Sequence, residues 1–360
     1  SSSLRLELHP FQLALFPDAR KCENQAHANG WGSSRRHKPV VMSKPINEIH
    51  VPVMLERTVE ILGESLEGQS ILVDCTLGMG GHSEAFLEHF PNLRVVGIDR
   101  DLTAIALASE RLSRFGERFT AAHATYDEIL EVLEELNIDS VQAILLDLGV
   151  SSLQLDEADR GFAYSYSAPL DMRMDASTGI TAAEVLNQYS EKELARIFAE
   201  YGEERYAKPI AAAIVARRAS KEFSDSVDLA SLIVDIVPFI PGKSKGHPAK
   251  RVFQALRIEV NRELEVLQNT MPAVIKALAV GGRVLVLAYH SLEDRIVKQA
   301  LVAASTSSAP LDLPIELPEH APVLRLVVKG AEQASEEEIQ INPRAASVRL
   351  RAAEKIRSAA

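Results

Sequence analysis

Cysteine is nearly absent from this chain: Cys22 and Cys75 are the only two in 360 residues. That excludes a disulfide framework and fits a reducing cytoplasm. No apolar run approaches the about 18 residues that would suggest a membrane span, so none is expected. The ten histidines are scattered. Neither His247 nor His290 has ligand spacing, and no metal is expected. Residues 1–41 lack both a sustained period and the layout of a signal peptide. They are expected to be a largely disordered extension, with Met42 opening the regular part of the chain. There is no internal repeat and no Pro-Pro pair.

What is present reads as an ordinary globular protein, 46% hydrophobic and 25% charged. The net charge of −11 is unevenly spread. Between Arg205 and Arg262, eleven Lys or Arg stand against five acids, a net +6 in 58 residues that leaves −17 for the remainder. Such a segment is either a footprint for phosphates or a solvated helix face, and charge alone does not separate the two.

From Val53 onward, helical and strand-like patterns alternate. "SILVDCT" (70–76), "LRVVGID" (93–99), "FTAAHA" (119–124) and "VQAILLDLG" (141–149) read as buried strands. Amphipathic pieces such as "VMLERTVEIL" (53–62) and "LTAIALASERLSRF" (102–115) read as helices. Alternation of this kind predicts an α/β fold with a parallel, Rossmann-like sheet covered on both faces. It stops at about residue 155, where helical patterns take over. Strands resume at "GGRVLVLAY" (281–289), "VLRLVVK" (323–329) and "SVRLRAAEK" (347–355). The expected organisation is an α/β domain from 42–154 and 265–360, interrupted by a helical domain at 155–264. The last two strands, joined only by loop, are expected to pair antiparallel at the sheet edge.

"VDCTLGMGGHSEAF" (73–86) places Gly78, Gly80 and Gly81 between the first strand and a helix. Glycine there allows a sharp turn and close ligand approach, and free helix N–H groups favour an anion. Asp99 ends the next strand, where an acid commonly binds ribose hydroxyls. The dinucleotide pattern would need a third glycine at position 83, which is Ser83, and no Gly-Lys-Ser/Thr follows this strand. S-adenosylmethionine therefore fits better than NAD. "LLDLGVSSLQLD" (145–156) and "YHSLEDR" (289–295) end two further strands. They bring Asp147, His290, Glu293 and Asp294 to the same rim. Ser291 followed by Asp294 reads equally well as a helix cap.

Together with "GIDRD", "RGFAYSYSAPLDMRMD", "YGEERYAKPIA", "HPAKRVFQALRIEVNREL" and "NPRAASVRLRAAEK", these motifs resemble the RsmH (MraW) family from about His50 to the end. These are bacterial S-adenosylmethionine-dependent enzymes that methylate the N4 amine of a decoding-centre cytosine in 16S ribosomal RNA. The resemblance implies a class I methyltransferase sheet with the helical insertion as the substrate-recognition domain. It implies cofactor contacts from Gly80, Gly81, His82, Asp99, Tyr126, Asp147 and Gln154. Tyr126 stands where the family often has phenylalanine, and the stacking face is kept. The RNA partner would be the small ribosomal subunit or its precursor, acting in the cytoplasm. Whether the chain forms a homodimer is left open.

Cytosine N4 is a poor nucleophile, so positioning and a proton acceptor are needed. Asp147 is the first candidate acceptor and His290 the second. Without a Pro-Pro-aromatic motif, the amine grip of other nucleic-acid methyltransferases cannot be assumed. Arg217, Arg218, Lys250, Arg251 and Arg257 are the candidate contacts to RNA phosphate. The rival readings are a nicotinamide-dependent oxidoreductase and a non-catalytic RNA-binding or ribosome-assembly factor on the same fold.

Overall fold

The computed structural model describes residues 52–150, 160–238, 246–309 and 317–358. The expectations for residues 1–41 and for Gln154 fall outside these segments. Short apolar runs become strands here because both faces of the sheet are covered. β1 (Ser70–Asp74), β2 (Leu93–Asp99), β3 (Phe119–His123), β4 (Val141–Asp147) and β5 (Leu278–Ala288) pair in parallel. Between the first strands lie α1 (Leu55–Gly63), α2 (Gly81–His89), α3 (Leu102–Leu112) and α4 (Ile129–Glu135).

After β4 come α5 (Ala182–Gln188), α6 (Glu191–Glu200), α7 (Ala207–Arg218), α8 (Ser226–Ile236) and α9 (Lys250–Asn261). Local chemistry starts them: Thr181 and Ser190 form capping boxes with Glu184 and Glu193, and Asp225 caps α8. These helices close on an apolar cluster of their own, with Leu186, Leu194, Ile197, Phe198, Ile210 and Leu256 fully buried. Burying each such side chain is worth about 1.5–3 kcal/mol. The chain then breaks at Arg262, in the left-handed region with φ 50°, and re-enters the sheet domain as α10 (Glu263–Ala277). α10 places Leu267, Met271 and Val274 in the core beneath the sheet. The physical break therefore falls at Arg262, where the sequence reading puts the boundary between residues 264 and 265.

α11 (Ser291–Ala304) follows β5. β7 (Arg349–Lys355) then pairs antiparallel with both β5 and β6 (Leu324–Leu326), completing the order β3-β2-β1-β4-β5-β7-β6. The antiparallel edge is as expected, but the connection is not loop alone. α12 (Glu336–Ile341) and a 3₁₀ turn at Pro343–Ser347 lie between β6 and β7. The strand order reverses between β1 and β4, whose carboxyl ends open the crevice that α/β sheets use for ligands.

Candidate active site

Parallel strands deliver their last residues to one rim, and a cavity of about 550 Å³ opens there. Its sheet-side wall contains Cys75 to Met79 after β1, Asp99 and Arg100 after β2, Tyr126 after β3, Asp147 after β4, and Tyr289 and His290 after β5. Across from these, α9 contributes Lys250, Gln254 and Arg257, spaced four and three residues apart and so on one helix face. Pro343, Arg344 and Ser347 of the late 3₁₀ turn also line it.

The three glycines do different work. Gly78 has φ 51° and its N–H donates to Asp99 Oδ2 at 2.8 Å, linking the ends of β1 and β2. Gly81 lines the cavity, and a Cβ there would lie 2.7 Å from Pro52 Cγ. Gly80 has φ 75°, and a Cβ on it would meet Leu112 of α3 at 3.0 Å. Its glycine is thus accounted for by backbone conformation and helix packing. Ser83, noted only as a missing glycine, donates to Asp74 Oδ2 at 2.7 Å inside the core.

Asp99 Oδ1 accepts from the Asp101 N–H at 2.9 Å, so each carboxylate oxygen keeps a lone pair for a further donor. Burial raises the Asp99 carboxyl above its ordinary range, against the hydrogen bonds from Asp101 and Gly78. The Tyr126 ring faces the cavity with the Arg100 guanidinium 5.9 Å from its centroid. Asp147 Oδ1 accepts from the Tyr289 hydroxyl at 2.6 Å, and its Oδ2 lies 3.7 Å from His82 Nδ1. Desolvation pushes Asp147 up to about 7, opposed by the Tyr289 bond and reinforced by Glu293. The residues fit an S-adenosylmethionine-sized ligand: an acid with spare lone pairs, an aromatic face and a glycine-lined helix N-terminus share one cavity of ordinary ligand-site volume.

His290 is differently placed from its expectation as a base. It is the N-cap of α11, where Nδ1 accepts from the Glu293 N–H at 3.5 Å while Nε2 sits 3.1 Å from Glu293 Oε1. The cap thus falls one residue before the expected Ser291, with Glu293 closing the box. Asp294 instead binds Arg349 and Arg351 of β7 at 3.0 and 2.7 Å. Glu263, His290 and Glu293 bring ligand atoms within 4.8 Å of one another, and the approach of Glu263 to the other two has no sequence signature. Both carboxylates are already engaged: Glu263 forks Arg257 at 2.8 Å, and Glu293 accepts from Tyr289 N–H at 2.8 Å. The cluster reads as an ion-pair network.

The five basic candidates separate. Arg257 is not a surface contact; it lies in the cavity wall, bidentate to buried Glu263. Arg217 pairs with Asp228 at 2.9 Å and lies over Phe223. Arg218 donates to the Leu186 and Tyr189 carbonyls at 2.7 Å, closing the end of α5. Arg251 donates to the Glu203 carbonyl at 2.5 Å. Lys250 is exposed at the cavity and makes no ion pair among the described residues. Met174 of "LDMRM" lines the cavity, whereas Met172 is fully buried in the insertion core. Sequence reasoning assigned no role to Tyr289, Gln254 or the Pro343–Ser347 turn. Each lay within a motif already singled out: Tyr289 beside His290 at a strand end, Gln254 in "HPAKRVFQALRIEVNREL" and the turn in "NPRAASVRLRAAEK".

Comparison with known proteins agrees with this geometry. Residues 47–356 match the model of the MraW methylase family. A ribosomal RNA small subunit methyltransferase H from Nocardioides sp. is 59% identical over 307 residues, 85% of this chain and 96% of that protein. Those of Pseudarthrobacter chlorophenolicus and Saccharopolyspora erythraea are 55% and 54% identical, covering 88% and 94% of this chain and 97% and 99% of theirs. Identity of that order across both the sheet and its helical insertion leaves one assignment: this chain belongs to the MraW methylase family.

Proposed function

We propose that this chain methylates the N4 amine of a cytosine in small-subunit (16S) ribosomal RNA, using S-adenosylmethionine. The observation that carries this reading is the match over residues 47–356, spanning every described element of the cavity wall. No helix among the described residues is long and apolar enough to cross a membrane.

The wall residues divide the chemistry among them. Asp99 is placed to accept from ribose hydroxyls, with its carboxylate held by two backbone N–H groups. Tyr126 offers a flat face to the adenine, and Gly81 at the start of α2 leaves room and N–H groups for the methionine carboxylate. The bound cofactor supplies an electrophilic methyl group. The protein's share is to bring the amine into line and to remove a proton, because an amine that gains a methyl must shed a hydrogen. Asp147 suits proton removal, because it faces the cavity, is ionised in part near neutral pH, and keeps one oxygen unbonded. Lys250 at the mouth fits an RNA phosphate, the role left to it once its four basic companions are engaged elsewhere.

The non-catalytic alternative, a ribosome-assembly factor, predicts RNA binding without turnover. Incubating the protein with small subunits and a methyl-labelled donor tests both. Label in 16S RNA as N4-methylcytidine, lost in Asp147→Asn, is the expected result. Absence of label with every assembly state of the subunit would overturn it.

A further inference from the structure

His82 is pinned at one ring nitrogen. Its Nε2 lies 3.1 Å from the Val53 carbonyl oxygen. A carbonyl can only accept, so Nε2 carries the hydrogen. In the neutral ring Nδ1 is then a bare lone pair, and it faces Asp147 Oδ2 at 3.7 Å. The other oxygen of Asp147 is occupied by the Tyr289 hydroxyl. Two acceptors pointed at one another in a wall where the side chains are only 7% and 20% exposed repel, unless a proton lies between them.

We infer that Asp147 and His82 take up one proton as a unit, Asp147 Oδ2 receiving it and the pair closing from 3.7 Å to hydrogen-bond length so that His82 Nδ1 accepts the resulting O–H, while Tyr289 keeps Oδ1 engaged. His82 is thereby a positioning residue for the acceptor, a role distinct from contact with the methionine part of a cofactor. The inference rests on the proposed methyl transfer only for its use: the proton shed by the amine converts the carboxylate to a carboxyl that remains hydrogen-bonded. The surrounding charges agree. Burial raises Asp147 and lowers His82, so a neutral carboxyl beside a neutral imidazole is favoured over an ion pair. The carboxyl groups of Asp74 on β1 and Glu338 on α12 act on His82, and that of Glu293 on α11 acts on Asp147, each favouring retention of the proton. Opposing them are Tyr289, whose donated bond favours the ionised carboxylate, and the cations Lys250 and Arg257 across the cavity.

The test uses the full chain without cofactor or RNA, so its failure is separate from any failure of turnover. Imidazole ¹⁵N spectra report the His82 tautomer, and isotope-edited infrared spectra report the Asp147 carboxyl, both followed against pH. The expected result is an Nε2–H tautomer at alkaline pH. On acidification one proton enters, and the Nδ1 resonance and the carboxyl band then move with a shared midpoint near neutrality. His82→Gln can still reach the Val53 carbonyl but offers no lone pair at the δ position; the carboxyl midpoint should fall by about one pH unit, the worth of one hydrogen bond. Tyr289→Phe should raise it by about as much. An Nδ1–H tautomer at alkaline pH, separate midpoints for the two groups, or an unmoved carboxyl midpoint in His82→Gln would each overturn the inference. The wild-type spectra decide alone should that variant fail to fold.

Discussion

The two walls of the cavity hold charge in opposite ways. Along the sheet rim, Asp99 and Asp147 are each lifted above the ordinary carboxylate range, chiefly by burial. On the helical side, Arg257 is locked in a fork with Glu263, and Lys250 is exposed and unpaired among the described residues. On the first wall Asp147 is pushed up to about 7, so it can change protonation near neutral pH; on the second the Arg257 guanidinium is held charged by its fork with Glu263. On the proposed reading, proton chemistry falls to the sheet side and anion recognition to the helical side, and each can be broken separately.

The sharpest test of that division is Asp147→Asn. Loss of a general base should slow methyl transfer by about 10²–10⁴-fold, read as single-turnover rate. Stability should move the other way. Folded Asp147 titrates at about 7, above an unfolded carboxylate, so ionising it costs folding free energy, increasingly as pH rises from about 4 through about 7. The uncharged amide escapes that cost. Denaturant unfolding should show Asp147→Asn more stable at about pH 8, by up to about 4 kcal/mol, and equal to wild type near pH 4. Parallel pH profiles would mean that the carboxylate is ordinary.

Arg257→Ala comes next. It strands Glu263, 6% exposed, without its cation. Breaking a buried pair from one side costs about 3–5 kcal/mol, and the unfolding midpoint should fall accordingly. Arg217→Ala is the control: its pair with Asp228 is partly exposed and shared with Lys221, so a loss under about 1 kcal/mol is expected. Equal losses would erase the contrast between a cavity-wall arginine and a surface one.

Asp99→Ala should weaken cofactor binding by about 1–3 kcal/mol in calorimetry, with RNA affinity unchanged. Unaltered cofactor affinity would remove Asp99 from the site. The smallest effect belongs to Lys250→Ala. Loss of one phosphate contact should flatten the log–log salt dependence of subunit binding by about 0.7–0.9 and leave cofactor affinity intact. An unchanged slope would show Lys250 to be solvated surface.

Much of the sheet was legible because its strands are short, largely apolar runs, three of them ended by an acid at Asp74, Asp99 and Asp147. The edge pairing of β7 with β6 was legible for the same reason. What stayed hidden depends on long-range proximity. His82 meets Asp147 across 65 positions and Tyr289 meets Asp147 across 142, and neither distance has a sequence signature. The basic segment misled in part for a related reason: composition counts Arg217, Arg218 and Arg257 as equal charges. Their partners, one aspartate, two carbonyls and one buried glutamate, decide which of them can meet a ligand. The α11 cap was displaced by a single residue because His290, unlike serine, is not a common capping side chain.

The long stretch of chain between β5 and β7 has a consequence for biosynthesis. β5 is paired on one side by β4, but its other edge is covered only by residues 349–355. Its strand holds Val284 to Leu287 fully buried in the finished fold. At roughly 5–20 residues per second of translation, several seconds separate the appearance of Ala288 from that of Lys355. Throughout that interval the nascent chain carries an open apolar edge, the form most prone to pairing with another chain. It also lacks the Pro343–Ser347 part of the cavity wall. Quality control at the ribosome, not the stability of the mature enzyme, is where truncations and slow codons in this last segment will take their toll.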